Sequence, residues 1–184
     1  MRQRGHFPTA DFGEELDATA LELRYRRHMK SMVFILPRQR DGLASVEKAL
    51  TGPRLQMCLE KLRGRGCVDL TLPKFSVRQA FDLKDVMPRL GIVDVFIRGL
   101  ADLPGFKAAE VASPTSGLSG QHLSLAVHCA SVQTREKGHK AGPWTDTPRL
   151  KFTVDHPFLF LVISRSPEAV LLMGSVRKIR LPYI

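Results

Sequence analysis

The chain has 184 residues, with 28 Lys and Arg against 18 Asp and Glu for a formal net charge of +10. That length is enough for one sizeable core, and 43% hydrophobic with 25% charged residues excludes a disordered or low-complexity polymer. The charge favours contact with polyanions and says nothing about fold. No apolar run approaches the roughly 20 residues that cross a bilayer, the longest being Met32 to Leu36 and Phe158 to Ile163, so a soluble chain is expected. The basic opening Met1-Arg2-Gln3-Arg4-Gly5-His6 has no apolar stretch behind it and does not read as a secretory signal. Cys58, Cys67 and Cys129 form no C-x-x-C pair, which leaves three plain thiols as the expectation and no metal site.

Leu21, Leu23 and Tyr25 alternate with Glu22 and Arg24, the period of a half-buried strand with the charged residues outward. Met32 to Leu36 is a short apolar run of strand length, and the polar Arg26 to Lys30 between the two suits a hairpin connection. Leu43, Val46, Ala49 and Leu50 share a helical face behind an N-terminal cap at Asp41 and Gly42. A second helix opens on Pro53, carries Leu55, Cys58, Leu59 and Leu62 inward and stops before Gly64 and Gly66. Val68, Leu70 and Leu72 alternate with Asp69 and Thr71 until Pro73, which predicts a strand that bends or lies at an edge.

Asp82-Leu83-Lys84-Asp85 reads as a capped start of a short third helix, closed by Pro88 and Gly91. Leu123 to Cys129 alternate as a long strand on which His128 faces away from Cys129. Arg135 to Lys151, rich in Gly, Pro, Thr, Lys and His around Trp144, is expected as an exposed loop. Phe158 to Ile163 and Val170 to Val176 are continuous enough in apolar character to predict a final hairpin buried on both faces. The residues alone therefore give an α+β chain, mostly antiparallel strands with three short helices.

Several blocks then point to one family. Leu70-Thr71-Leu72-Pro73-Lys74-Phe75, Phe81 to Ile92, Asp94-Val95-Phe96, Ala101-Asp102-Leu103 with Gly105, Val127-His128-Cys129-Ala130, Asp155-His156-Pro157-Phe158-Leu159-Phe160 and Met173-Gly174-Ser175-Val176 resemble serpins in order and spacing. Glu14-Glu15-Leu16 and Leu21 to Tyr25 fit as well, with Arg24 where the family usually has proline. The resemblance covers residues 1–184 as one partial domain, the C-terminal half of the serpin fold with an exposed reactive loop about residues 136–151, and aligns Met1 with an internal methionine of the family.

It implies a serine-protease partner, an inhibitor rather than an enzyme, no cofactor and no metal. The family is mostly extracellular, although no signal peptide is read here and a cytoplasmic location stays open. Serpins inhibit when the cleaved loop inserts as a new strand between two neighbours, of which this stretch supplies one, so the expectation is a non-inhibitory form. The hinge Glu136, Lys137, Gly138, His139, Lys140, Ala141 departs from the usual run of small residues and is followed by Pro143 and Trp144, each of which opposes insertion. Counting the scissile bond from either end of the loop gives different answers, and Arg149-Leu150 is the most trypsin-accessible choice. By resemblance His128 sits in the shutter that controls sheet opening, although a lone strand histidine ordinarily satisfies a core or a hydrogen bond.

Asp155-His156 has no nucleophile beside it, and Gly117-Leu118-Ser119-Gly120 lacks nucleophile-elbow spacing. Two other readings compete: a heparin-like polyanion binder through Arg24, Arg26, Arg27 and Lys30, without the aromatics that nucleic acid needs, and a non-functional fragment that takes a strand from a partner chain.

Overall fold

A charged opening becomes a strand because two others capture it. In the computed structural model, which describes residues 2–25, 29–62, 64–103, 121–134 and 150–178, β1 (Arg2–Phe12) pairs along its first part with β4 (Arg65–Thr71) and along its last part with β2 (Ala18–Arg24). Pro8 falls where β1 leaves one partner for the other, a place where a missing ladder donor costs little. Sequence periodicity missed this strand: Arg2, Arg4 and His6 are exposed, and the ladder comes from long-range partners.

The chain divides into two compact units, Met1–Phe75 with Gln133–Ile184, and Ser76–Val132. The first is built on a seven-stranded sheet. After β2 come β3 (Lys30–Pro37), then β7 (Leu150–Thr153), β8 (Phe158–Arg165) and β9 (Glu168–Val176), and the order is β7-β4-β1-β2-β3-β8-β9. Within this sheet only the β4–β7 pair is parallel; the other neighbours run antiparallel.

One face of this sheet is covered by α1 (Leu43–Ala49) and α2 (Gly52–Lys61), whose Leu43, Val46, Cys58 and Leu59 close over Phe12, Ala20, Val33, Ile35, Leu159, Leu161 and Ile163. The opposite face is aromatic: Phe75 packs edge-on to Phe158 at 5.4 Å between ring centroids and lies 5.6 Å from Phe160, with Phe34 5.8 Å from Phe158. Gly174 is opposite Phe160 in the ladder, and a Cβ there would stand 2.8 Å from the ring.

In the second unit β5 (Ser76–Asp82) forms a two-stranded sheet with β6 (Val127–Gln133). Bonds Thr134 N to Phe75 O at one end and Leu83 N to Ala126 O at the other set the pair antiparallel. α3 (Leu83–Val86) follows at once, its Asp82 side chain accepting from Lys84 N at 2.9 Å, and Gly91 closes the next 3₁₀ turn at φ 84°.

The two main helices, the third cap and the last hairpin stand where the sequence put them, and five expectations need correction. Glu22 is fully buried and Tyr25 exposed, because both faces of β2 are covered in its middle, at Ala20, Leu21 and Glu22, and only its last residue, Arg24, stands exposed. Of the two alternatives for the Val68 to Leu72 segment the edge position is overturned: β4 is an interior strand flanked by β1 and β7, and it ends at Thr71, before Pro73. Asp41 does not cap α1; Gly42 stands at that position with no side-chain bond. The regular strand after Leu123 begins only at Val127. β9 is an edge strand, leaving Val170, Leu171 and Met173 exposed, whereas β8, between β3 and β9, is buried.

Candidate functional site

The residues that bear on function gather at the β5–β6 pair and around β7. β5 is the one strand that β6 pairs with among the described residues, and one face of β6 is open: Leu125, just before the strand, is 66% exposed and Val127, on the same side, is 60% exposed. A strand with no second strand neighbour among the described residues presents an edge to which another strand could be added, with an apolar surface beside it. It is anchored at Thr134, whose backbone N–H donates to Phe75 O at 3.0 Å while Phe75 N donates to Thr134 Oγ1 at 2.8 Å. His128 stands exposed on β6 with Cys129 next to it, so neither is in a core; no packed second layer covers this pair among the described residues.

β7 lies at the other margin of the seven-stranded sheet and opens two residues earlier than the loop boundary read from composition. Leu150 pairs with Val68, and the ladder runs to Thr153 opposite Thr71, extended by Val154 N donating to Thr71 O at 2.9 Å. Of the proposed Arg149-Leu150 bond, then, the second residue belongs to a strand, while Arg149 and the hinge residues Glu136 to Ala141 lie outside the described residues. The exposed-loop reading of 135–149 lies there as well.

Of the basic group, Arg26 and Arg27 lie outside the described residues, Lys30 is exposed, and Arg24 leans on Glu22 with Nε 3.5 Å from Oε1. Glu22 is the charged residue that sequence reasoning placed on the wrong side. Arg165 Nε donates to Glu22 Oε1 at 3.2 Å, and Arg165 Nη2 lies 2.7 Å from the same oxygen off the line of a hydrogen bond. Glu22 Oε2 and Ser31 Oγ are buried with no aligned partner among the described residues. Burial pushes the Glu22 pKa up, but the nearby Ser31 hydroxyl and the Arg165 and Arg24 guanidinium groups outweigh it and hold the carboxyl below its ordinary value. No local signal could have found this pair, because its members are 143 residues apart in the chain.

Cys58 is buried against α2's apolar partners, and burial first, then the charge of Glu15, pushes its thiol up to about 11 against the opposing charge of Lys61. A thiol raised that far is protonated at neutral pH, the state that is the poorer nucleophile. Among the described residues no group of three His, Cys, Asp or Glu side chains is placed to hold a metal, and no helix is long and apolar enough to cross a membrane.

The mixed sheet, the separate strand pair and the Asp155-His156-Pro157-Phe158 turn between β7 and β8 are the arrangement of one structural class, and the comparisons agree. The family model for serpin (serine protease inhibitor) matches residues 1–179, and the chain belongs to the serpin family. It is 36% identical to Iris of Ixodes ricinus over 97% of this chain and 47% of that protein, and 34% identical to Serpin B3 of Homo sapiens over 95% and 44%. Uncleaved ovalbumin superposes with a TM-score of 0.79 at 27% identity, covering 95% of this chain and 43% of that one. The chain spans about half the length of the curated relatives it matches, and its fold is the corresponding part of the serpin fold.

Proposed function

We propose that these residues form the loop-presenting portion of a serpin-type inhibitor of serine proteases, and that the 184-residue stretch by itself is cleaved without trapping the protease. What supports this reading is the β5–β6 pair: by its place in the serpin family β6 would flank the site where a cleaved loop inserts, and among the described residues β5 is the one strand it pairs with. An inserting strand would have hydrogen-bond partners on one side only and would leave its other row of backbone groups open. The loop composition supports the same conclusion. His139 and Lys140 would have to be desolvated, Pro143 offers no ladder donor, and Trp144 is far larger than the residues the family uses there.

Within this reading Glu136 to Ala141 form the hinge, His128 holds the shutter position, and Arg149-Leu150 is the bond a trypsin-like protease cuts, which requires the first rung of β7 to open. The exposed edge and apolar surface of β6 suit a chain that adds a strand. Incubation with trypsin should give loop cleavage and no covalent product. An SDS-resistant complex of protease and chain would refute the non-trapping reading.

A further inference from the structure

The part of the sheet built from β1, β4 and β7 turns one row of side chains inward and the next outward. Gly5, Val68 and Leu150 lie opposite one another, as do Gln3, Leu70 and Phe152, and Val68, Leu70 and Phe152 are buried. The alternate rows therefore face away from that core. They are Arg2, Thr71 and Thr153 in one row and Arg4, Asp69 and Lys151 in the next, with Arg2, Arg4 and Lys151 exposed. Three cations share these two rows with one carboxylate. Two strand spacings put Arg4 and Lys151 about 10 Å apart at Cα, and Arg2 lies two residues, about 7 Å, along the strand from Arg4.

Asp69 does not neutralise the group. Its carboxylate is engaged by Arg2, with Nη2 donating to Oδ2 at 3.0 Å and Nε to Oδ1 at 3.5 Å, while Arg4 and Lys151 form no ion pair among the described residues. All three cations are close enough to act on it: the hydrogen bond from Arg2 first, then the charges of Arg2, Arg4 and Lys151, hold the Asp69 carboxyl below its ordinary value against the opposing effect of desolvation. Elsewhere in this unit exposed cations are taken up by carboxylates, as Arg38 is by Asp11, Lys61 by Glu15 and Arg177 by Glu47. The β1–β4–β7 face keeps an excess of positive charge.

We propose that this face binds a linear polyanion with closely spaced strong-acid groups, of the sulfated-polysaccharide class, through Arg4 and Lys151 directly and through Arg2 shared between the ligand and Asp69. The spacing selects several anionic groups over one. A single phosphate would have to draw together side chains from strands that are not neighbours, whereas a chain with an anion every few ångströms meets each cation where it stands. A sheet face offers no groove for a peptide, and none of the six side chains in the two outward rows is aromatic, so bases have no platform to stack on. The attraction comes from counterion release and falls as salt rises. Asp69 opposes the ligand, so its charge lowers the affinity. The face is separate from Arg24 on β2 and Lys30 on β3, and the proposal stands whether or not the chain acts on a protease.

The test uses the full chain and a size-defined, highly sulfated heparin dodecasaccharide, with Kd measured by calorimetry from about 50 to about 200 mM salt. Arg4→Ser combined with Lys151→Ser should weaken binding about tenfold at about 150 mM salt and lower the slope of log Kd against log salt by about 1.5, the loss of two cationic contacts. Lys48→Ser with Lys84→Ser removes the same net charge at exposed positions elsewhere and should change the affinity less than about twofold, because those charges lie outside the screening length. Asp69→Asn should tighten binding about threefold, the scale of one exposed charge interaction, and Asp41→Asn, the same change at another exposed residue, should not. Equal effects of the two double changes, or of the two Asn changes, overturn the proposal, because binding would then follow net charge alone. So does a loss concentrated in Arg24→Ser with Lys30→Ser, or tighter binding of a polyglutamate of matched charge, which would assign the face to an acidic peptide. If Asp69→Asn does not fold, the comparison of the two double changes decides alone.

Discussion

Arg165→Ala should lower the unfolding free energy by about 3 kcal/mol, the low end of the range for removing one partner of a buried ion pair. The reason is what is left behind. Glu22 is fully buried on β2, Oε2 already lacks an aligned partner, and the remaining cation, Arg24, reaches only to 3.5 Å. Arg165 is 25% exposed at its side chain, so the reverse change, Glu22→Gln, leaves a cation that water can reach and should cost less. The pH dependence has a fixed sign. Glu22 has a lowered folded pKa, so its contribution is present above the unfolded carboxyl pKa and is lost as pH falls through the folded one. In Arg165→Ala the buried carboxyl has little reason to stay ionised, so the deficit relative to the wild type should shrink as pH approaches about 4. Urea denaturation of both variants at neutral and acid pH checks the asymmetry and the sign. Equal losses in the two variants, independent of pH, would contradict the account.

Phe158→Ala should be the most damaging apolar truncation on the aromatic face, at about 3–5 kcal/mol. Phe158 has no solvent exposure, packs edge-on to Phe75 at 5.4 Å and lies 5.8 Å from Phe34, so its loss would empty a space walled by two rings. It is also the first residue of β8, paired with Val176, so the strand cannot slide to fill the gap without giving up its register. Leu171→Ala is the natural control: the residue is of similar character but half-exposed on the edge strand β9, and the loss should be well under half as large. A midpoint for Phe158→Ala as close to wild type as that of the control would mean that the face collapses freely.

The alternation in Leu21 to Tyr25, the apolar run at Met32 to Leu36 and the two helical faces at Leu43 to Leu62 made the covered part of the seven-stranded sheet readable, because each satisfied its period with its own residues. Glu22 defeated that reading for a physical reason. Period-2 alternation predicts charge outward only where a strand has an outward face, and β2 has none at Glu22, although Arg24 at its end is exposed. The opening strand was invisible for the opposite reason. Its exposed face is Arg2, Arg4 and His6, and its ladder comes from residues about 60 positions away in β4. Apolar continuity overstated the burial of Val170, Leu171 and Met173, since composition cannot say which strand of a hairpin ends up at the margin of a sheet. At the candidate site, the Asp155-His156 pair was visible as a motif and its bond to the Pro37 carbonyl was not; that contact spans 119 positions and exists only once β3 and β8 pair.

The most direct test of the central claim is the thermal stability of the chain before and after a single cut between Arg135 and Leu150. A strand that inserted beside β6 would add a hydrogen-bonded ladder and cover Val127 and its neighbours, and the melting temperature would have to rise. If, as proposed, an inserting strand finds a flank at β6 alone and brings Pro143 and Trp144 with it, the Tm is unchanged or lower. A rise of more than about 5 °C, which corresponds to more than about 1 kcal/mol in a chain of this size, would contradict it.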